Sequence, residues 1–429
     1  MNLRVFSVVA VFVSFCVPTF GQTLGDRENT ARARVIVTDN VSSAETVSTP
    51  TPTPRKVLVI TNAPDDTEEG TSRYDSAVRA DRRSAESAPP RPLKYGEIRD
   101  LISEAKRQMR VSPLRISLND ENQTTEIVRI AFFDWKQNAI DYVVVPKTEF
   151  LSKTTQSIHK TEAGNTVRVQ TIRGNGVNTP VFIYDMDNQA QVPLIVQYPI
   201  EKNGKFAEMA FYVSTHPGVV TPDTVNAGRI YVRSILNSAR QKLRQKGIAV
   251  QGRVVDIAER LALVEHVDHW RFRNEHHPNI YNDVYALYAL NQGQTYRYSV
   301  SSAGAGGMVQ MIPWTYRMIR SKYPAVGLIP DFVDGMRNHV NAAQAMLLYM
   351  QMTWDDLAVN DTVTQAMGDG IATQEQLMAA GYNSNPARLP GYIKRGGENW
   401  TTLIPRETKV YLQIYESVER YVPFRARSK

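Results

Sequence analysis

Glu265 is the residue of this 429-residue chain best placed for acid–base chemistry, because it interrupts an apolar helical pattern with a carboxylate. The pattern predicts one helix over residues 254 to about 271. A carboxylate in an apolar stripe is desolvated, so its charged form is disfavoured and its pKa is expected to rise toward that of a useful general acid. The side chains that share this face, at spacings of three and four residues, are Val254, Ala258, Leu261, Glu265 and Asp268.

A Gly- and Ala-rich segment over residues 301–313, SSAGAGGMVQMIP, has the composition of a ligand-binding turn. Its small residues let the backbone turn tightly and approach a ligand closely. Gln310 offers an amide donor and acceptor for sugar hydroxyl or acetamido groups. Such a turn before a helix is by itself more often structural, so its meaning depends on the segments around it.

Four of the seven histidines cluster next to an aspartate, at His266, His269, His276 and His277 beside Asp268. His266 and His269 lie three residues apart on the predicted helix, a spacing at which they could bind one metal ion. No His-Glu-x-x-His pattern accompanies them, and solvated or core-bonded histidines are more common. We therefore expect neither a metal nor a cofactor, and a metallohydrolase stays open as an alternative.

The first part of the chain predicts secretion. Residues 1–21 combine the positive Arg4, a short apolar stretch and a plausible cleavage site at Thr19-Phe20-Gly21, as in a signal peptide. Neither this stretch nor any later one is long enough to predict a transmembrane segment in the mature chain. The only cysteine, Cys16, lies in the signal, so no disulfide is expected; a lipid anchor on Cys16 is the less favoured alternative.

The remainder predicts three further regions. Residues 22–93 are rich in Thr, Ser, Pro, Asp and Arg and predict a disordered tether. Residues 94–222 predict a β-rich accessory domain without a chemical motif, in which Asn203-Gly204 indicates a hairpin. A helix around residues 97–109 is expected there, followed by strands near residues 127–133, 140–145, 166–172, 181–184, 194–198 and 206–213.

Helical periodicity characterises residues 223–429, with Asp223 or Thr224 available to cap the first helix and Gly247 expected to follow it. Together with the preceding region, this predicts an α+β chain. The later helical stretches fall at residues 316–322, 340–352, 374–380 and 407–421.

Four segments of this helical half, in order, resemble the soluble lytic transglycosylase family. Residues 301–313 resemble its Ser-x-x-Gly-Ala-x-Gly-Leu-Met-Gln-Ile-Met-Pro motif, and NAAQAMLLY at residues 341–349 resembles its next helix. Residues 380–389, AGYNSNPARL, are similar to its Tyr-Asn-Ala-Gly-Pro-Gly segment, and residues 404–412, IPRETKVYL, to its Ile-Pro-x-Glu-Thr-x-x-Tyr-Val segment. The resemblance implies a multidomain chain with a mainly helical, lysozyme-like C-terminal domain over residues 223–429.

The resemblance also implies a reaction. The catalytic acid of the family lies on a helix before the Gly-rich motif, which assigns that role to Glu265. Glu265 would protonate the glycosidic oxygen between N-acetylmuramic acid and N-acetylglucosamine, then take the proton of the muramyl C6 hydroxyl as a 1,6-anhydro ring closes. No second carboxylate is required, because the substrate supplies the nucleophile.

The same resemblance suggests the substrate-binding residues. Tyr382 matches the family tyrosine near the acid, and Met308 and Gln310 match groups that line the saccharide groove. Asn383 and Tyr411, from the third and fourth segments, complete the predicted set.

The chain departs from the family pattern beside the acid. His266 replaces a serine, and an insertion over residues 268–300 precedes the Gly-rich motif. The aromatic residues of this insertion could stack on sugars, although packing within a helical excursion is the favoured interpretation for most of them. They are Tyr281, Tyr285, Tyr288, Tyr296 and Tyr298.

The expected partner is the glycan strand of peptidoglycan, in the periplasm or at the cell envelope, with envelope proteins as candidate partners of the β-rich region. The net charge is +7, or +6 without Arg4, and it is dispersed; this suits an anionic wall polymer and argues against nucleic acid. The open alternatives are a non-catalytic glycan-binding protein, a lysozyme-type hydrolase, and Glu259 or Glu275 as the acid.

Overall fold

A computed structural model of the protein describes residues 90–112, 125–152 and 156–427. The predicted signal peptide at residues 1–21, Cys16 and nearly all of the predicted tether lie outside these ranges. Within the described ranges, no helix has both the length and the apolarity needed to cross a membrane.

Two small antiparallel sheets account for the β structure of the described residues. The strands are β1 (Ile127–Asp134), β2 (Ala139–Pro146), β3 (Gln156–Lys160), β4 (Thr166–Thr171), β5 (Val181–Asp185), β6 (Val192–Lys202) and β7 (Lys205–Tyr212). One sheet has the order β2-β1-β6-β7 and the other has the order β3-β4-β5. The six predicted strands are confirmed, and β3 is an additional one.

The predicted hairpin is confirmed between β6 and β7. Asn203 and Gly204 have φ values of 55° and 71°, the left-handed conformation that a tight hairpin turn needs at both central positions. By contrast, β3 was not predicted, because its sequence QSIHK alternates between exposed and half-buried residues and has no apolar run.

The described residues contain thirteen α-helices. Together with the two sheets, they confirm the α+β class. They are α1 (Tyr95–Val111), α2 (Lys147–Leu151), α3 (Pro222–Gln245), α4 (Gly252–Val264), α5 (His269–Asn274), α6 (His277–Asn291), α7 (Pro313–Lys322), α8 (Phe332–Arg337), α9 (His339–Ala358), α10 (Asp361–Gly368), α11 (Gln374–Asn383), α12 (Leu389–Gly396) and α13 (Arg406–Tyr421).

The first long helix of the helical half begins earlier than predicted. Its N-cap is Thr221, whose hydroxyl accepts a hydrogen bond from the backbone N–H of Thr224 at 3.2 Å, so neither Asp223 nor Thr224 is the cap. Pro222 follows the cap directly, at a position where the missing N–H of proline costs no helical hydrogen bond. Gly247, with φ of 78°, ends the segment as expected.

The helix predicted over residues 254 to about 271 is two helices. α4 ends with Glu265 as its C-cap, and α5 starts after Asp268. The physical reason is that the Asp268 carboxylate caps α5, accepting the N–H of Arg271 at 2.8 Å in an extended backbone conformation. Asp268 therefore does not share the apolar face of α4.

The core is dominated by α9, most of whose residues are buried and which packs against α3, α4 and α11. One hydrophobic cluster includes strand residues such as Ile130 and Tyr198 as well as helix residues such as Leu261 and Met346. Each fully buried aliphatic side chain of this kind stabilises the fold by roughly 1.5–3 kcal/mol. The packing fixes α4, and with it the position of Glu265.

Candidate active site

Glu265 lies at the C-terminal end of α4 with only 6% of its surface exposed. Its backbone N–H still donates to the carbonyl of Leu261 at 2.9 Å, so the helix holds its backbone firmly. The hydroxyl of Tyr411, a fully buried residue of α13, donates to Oε1 of Glu265 at 2.5 Å. Glu265 and Tyr411, both predicted site residues, thus bond directly although they lie 146 positions apart in the chain.

The position of Tyr411 depends on how α13 packs. This helix contacts α4 on one side and α11 on the other. The buried Thr408 of α13 donates its hydroxyl hydrogen to Oδ1 of Asn383, at the end of α11, over 2.9 Å. Asn383, predicted to bind substrate, therefore links the helix of Tyr382 to the helix of Tyr411.

The Gly-rich segment forms a tight turn between the insertion and α7. Gly304, Gly307 and Gln310 all have positive φ, at 75°, 67° and 46°. A Cβ atom at Gly307 would lie 2.9 Å from the carbonyl oxygen of Met336, so only glycine fits there without a shift. The amide nitrogen of Gln310 donates to the carbonyl oxygens of Gly307 at 2.9 Å and Ser299 at 3.3 Å, which braces the turn.

Met308 joins this turn to the end of α4. Its side chain is fully buried, so in this structure it lies in the core rather than on a surface. Its carbonyl oxygen accepts a hydrogen bond from Nε2 of His266 at 2.9 Å, which requires that nitrogen to carry the hydrogen. The His266 ring stacks on Tyr296, with centroids 3.4 Å apart and planes 8° from parallel. His266, the residue after Glu265, thus connects the end of α4 to both the turn and the insertion.

Tyr382 reaches the same turn from α11. Its hydroxyl donates to the carbonyl oxygen of Val309 at 2.7 Å, and its ring meets Tyr349 edge to face. Burial raises the pKa of Tyr382 well above its ordinary value, and the nearby carboxylate of Glu265 adds to the rise. The phenol therefore stays protonated at neutral pH and remains a donor beside the candidate acid.

The six predicted site residues accordingly belong to one network of contacts around the end of α4. Glu265 and Tyr411 bond directly, Met308 and Gln310 shape the turn, and Asn383 joins the two helices that supply the tyrosines. Sequence reasoning missed the structural roles of His266 and Tyr296. The one sequence signal for these roles was the histidine at position 266, where the family pattern has a serine.

The tyrosines of the insertion pack inside the protein. All five are buried, three of them along α6, and the hydroxyl of Tyr288 donates to the backbone carbonyl of Ala262 in α4 at 2.9 Å. This agrees with the packing interpretation for these residues.

The two alternative acids hold other positions. Glu259 forms ion pairs with Arg233 at 3.0 Å and Arg427 at 2.5 Å. Glu275 pairs with Arg271 at 2.7 Å. Both carboxylates are buried in contacts with guanidinium groups and hold parts of the fold together, whereas Glu265 accepts a hydrogen bond from a phenol in the candidate site.

The histidine cluster also serves internal contacts. His277 is hydrogen-bonded through Nδ1 to the hydroxyl of Ser417 at 2.7 Å and through Nε2 to the carbonyl of Phe272 at 2.8 Å. Across the part of the chain that the structure describes, no group of three or more His, Cys, Asp or Glu side chains is arranged to hold a metal ion.

This arrangement can transfer one proton in either direction. A single carboxyl group is fixed by a helix end and a phenol, and it adjoins a strained turn whose conformation is set by glycines and buried hydrogen bonds. No family model, no characterised protein and no solved structure matches the chain significantly. The site geometry and the sequence motifs are therefore the grounds for a functional assignment.

Proposed function

We propose that this protein is a peptidoglycan lytic transglycosylase, with a lysozyme-like domain over residues 223–429 and Glu265 as its single general acid and base. The observation that carries the proposal is the buried hydrogen bond from Tyr411 to Glu265. It joins the residue selected for its helical context to the last of the four family-like segments. The Gly-rich segment and Tyr382 adjoin the same carboxylate.

In the proposed reaction, Glu265 begins as a carboxylic acid. It gives its proton to the oxygen that links N-acetylmuramic acid to N-acetylglucosamine, and the bond from C1 of the muramyl ring to that oxygen breaks. The C6 hydroxyl oxygen of the same ring then bonds to C1, and its proton returns to the Glu265 carboxylate. The 1,6-anhydro product forms without consuming water, so the carboxyl group is regenerated.

Tyr411 and Tyr382 would hold parts of the site in position without reacting. Tyr411 holds Oε1 in place, which limits the rotation of the carboxyl group. Tyr382 holds the turn against the acid through Val309. The predicted signal peptide supports a location of the mature chain in the periplasm or at the cell envelope, and the β-rich region is a candidate surface for envelope proteins.

A glycan-binding protein without catalytic activity is the second candidate. The observation that favours it is the replacement of the family serine by His266, whose ring is stacked on Tyr296 and bonded to Met308.

Digestion of purified peptidoglycan sacculi separates these functions. We expect the mature protein to release anhydromuropeptides, detected by mass spectrometry, and Glu265→Gln to abolish their release. Glu398→Gln is the matched control, because Glu398 is an exposed carboxylate on another segment. Products with reducing ends would indicate a hydrolase, and binding to sacculi without products would indicate the second candidate.

A further inference from the structure

A cavity of about 540 Å³ lies between the insertion and a loop that precedes β5. Its volume is within the range of small-ligand sites. We call it the insertion cavity. The lining residues that matter here are Trp270, Arg271, Asp283 and Tyr296 from the insertion, and Arg173 and Asn175 from the loop.

The charges in the wall of the insertion cavity largely compensate one another. Arg271 is bonded to Glu275 at 2.7 Å and to Asp283 at 2.8 Å. Arg173 lies 3.8 Å from Asp283 and donates to the hydroxyl of Thr215 at 3.0 Å. A wall with many donors and acceptors but paired charges suits a neutral, polyhydroxylated ligand better than a free ion.

Tyr296 gives the insertion cavity a buried donor. Its hydroxyl is buried and has no hydrogen-bond partner within the described part of the chain. Asp283 and Arg271, on the cavity wall, both act electrostatically on this phenol, whose pKa burial raises well above its ordinary value. The hydroxyl is therefore protonated, and it gains a partner only where the side chains that cover it move aside for a ligand oxygen.

The backbone of Tyr296 supports the idea of a built site. Its φ of 57° is unusual for a bulky aromatic residue, and its ring is stacked on that of His266. Strain of this kind persists only where the surroundings impose it, and it concentrates at ligand sites.

The rim carries an aromatic side chain. Trp270 lines the insertion cavity and is 52% exposed. An exposed indole beside a cavity whose wall has both apolar surface and polar groups is the combination that binds a pyranose ring, which has an apolar face and a polar edge.

The insertion cavity shares wall residues with the candidate active site. His266, which follows Glu265 in the chain, lines it. Ser299 also lines it, and its carbonyl oxygen accepts the amide of Gln310 at 3.3 Å. The insertion cavity therefore lies beside the network of contacts around Glu265.

We propose that the insertion cavity is an additional saccharide subsite that binds a neutral N-acetylhexosamine unit of a β-1,4-linked glycan. The neutral pyranose follows from the chemistry of the cavity itself, and the N-acetyl group of the sugar follows from the proposed function. The identity of the glycan as the strand cut at Glu265 rests on the proposed function. The insertion and the loop before β5 together form this subsite.

Calorimetric titration with chitohexaose tests this subsite in the Glu265→Gln protein, which cannot consume a ligand. Trp270→Ala should weaken binding about fivefold to tenfold, by loss of the stacking face. Trp314→Ala is the matched control, because Trp314 lies on α7 outside the cavity lining and is 64% exposed. It should leave the affinity unchanged.

Tyr296→Phe is the second variant, since it removes one hydroxyl and no hydrogen bond within the described protein. It should keep the thermal midpoint of the empty protein or raise it, and still weaken chitohexaose binding about fivefold or more. Absence of chitohexaose binding to the parent protein, or unchanged affinity in both cavity variants, overturns the proposal.

The two proposals can fail separately. Chitohexaose binding that depends on Trp270 and Tyr296, without any release of muropeptides from sacculi, would support the subsite and contradict the transglycosylase activity. The opposite result is release of anhydromuropeptides that Glu265→Gln abolishes, with no effect of either cavity variant on chitohexaose affinity. That result would support the transglycosylase activity and contradict the subsite.

Discussion

A short hydrogen bond from a buried phenol constrains the Glu265 carboxyl group. The phenol lies on α13, 146 residues further along the chain, and its oxygen is 2.5 Å from Oε1. Such a bond orients a carboxyl group without adding a charge, so it leaves the group able to hold or release a proton. At the scale of single residues, the proposed chemistry therefore depends on Tyr411 as a positioning residue.

Tyr411→Phe should lower kcat on sacculi by about 10- to 100-fold, the effect of losing one hydrogen bond to a charged or reacting group. The fold should persist, because the ring keeps its packing. KM should change little if the bond acts on the acid rather than on the substrate. Tyr415→Phe is the control, since Tyr415 is another buried tyrosine of α13. Equal kcat in the two variants would show that the Tyr411 hydroxyl does not position the Glu265 carboxyl group.

Much of the candidate site was predictable at this scale, because the residue types and the ordered segments lie in the sequence itself. Glu265, Tyr411 and Tyr382 were selected on that basis and lie close together. The stacking of His266 on Tyr296 was not predictable, because it depends on a left-handed backbone conformation that the sequence does not indicate for a tyrosine.

At the scale of elements, the Gly-rich turn and the end of α4 set the site. The sequence pattern predicted correctly that Gly247 follows the first long helix, whereas the cap of that helix is Thr221 and neither Asp223 nor Thr224. It failed between α4 and α5, because the apolar spacing continued through Asp268 while the side chain of that residue capped the next helix. The local cap at Asp268 therefore ended a helix that the apolar spacing alone would continue.

The Gly-rich turn offers a matched pair of variants. Both Gly304 and Gly307 have positive φ, but a Cβ atom at Gly307 would also lie 2.9 Å from a backbone oxygen, whereas at Gly304 the nearest atoms are 3.7 Å away. Gly304→Ala should therefore lower the free energy of unfolding by about 1 kcal/mol and Gly307→Ala by about 2–3 kcal/mol.

Urea denaturation of the two turn variants measures this difference. Equal losses of stability would mean that the turn relaxes around Met336 and that the close approach has no energetic weight. A loss of activity in Gly307→Ala at temperatures where it remains folded would further show that the turn conformation matters to the site.

At the scale of the whole molecule, distant parts of the chain meet at buried polar groups. His339, at the start of α9, bonds through Nε2 to the carbonyl of Thr295 in the insertion at 3.0 Å and through Nδ1 to the hydroxyl of Tyr231 in α3 at 2.9 Å. No local sequence signal predicts such a junction. The insertion cavity was unpredictable for the same reason, since its wall combines residues more than 90 positions apart.

His339 also makes stability depend on pH. Burial lowers the pKa of His339 to about 4 from 6.5, so the native state keeps the ring neutral. Below pH 6.5 the unfolded state binds a proton that the native state does not. The free energy of unfolding therefore decreases as the pH is lowered from about 6.5 to about 4. The shift corresponds to roughly 3 kcal/mol.

Free energies of unfolding of wild type and His339→Gln, measured at pH 7.5 and pH 4.5, check this expectation. The variant should lose less stability on acidification than wild type. Part of the dependence should remain, because burial lowers the pKa of His216 to about 3 and that ring acts in the same direction. An identical loss in both proteins would assign the acid sensitivity to other groups.

Water does not enter the product of the proposed reaction, and digestion of sacculi in H₂¹⁸O tests this most directly. If the muramyl C6 hydroxyl closes the ring while Glu265 takes its proton, the new muropeptide ends are 1,6-anhydro and contain no ¹⁸O at C1. Mass spectrometry should find these unlabelled anhydro ends with active protein and none with Glu265→Gln. New reducing ends that carry ¹⁸O at C1 would contradict the transglycosylase mechanism.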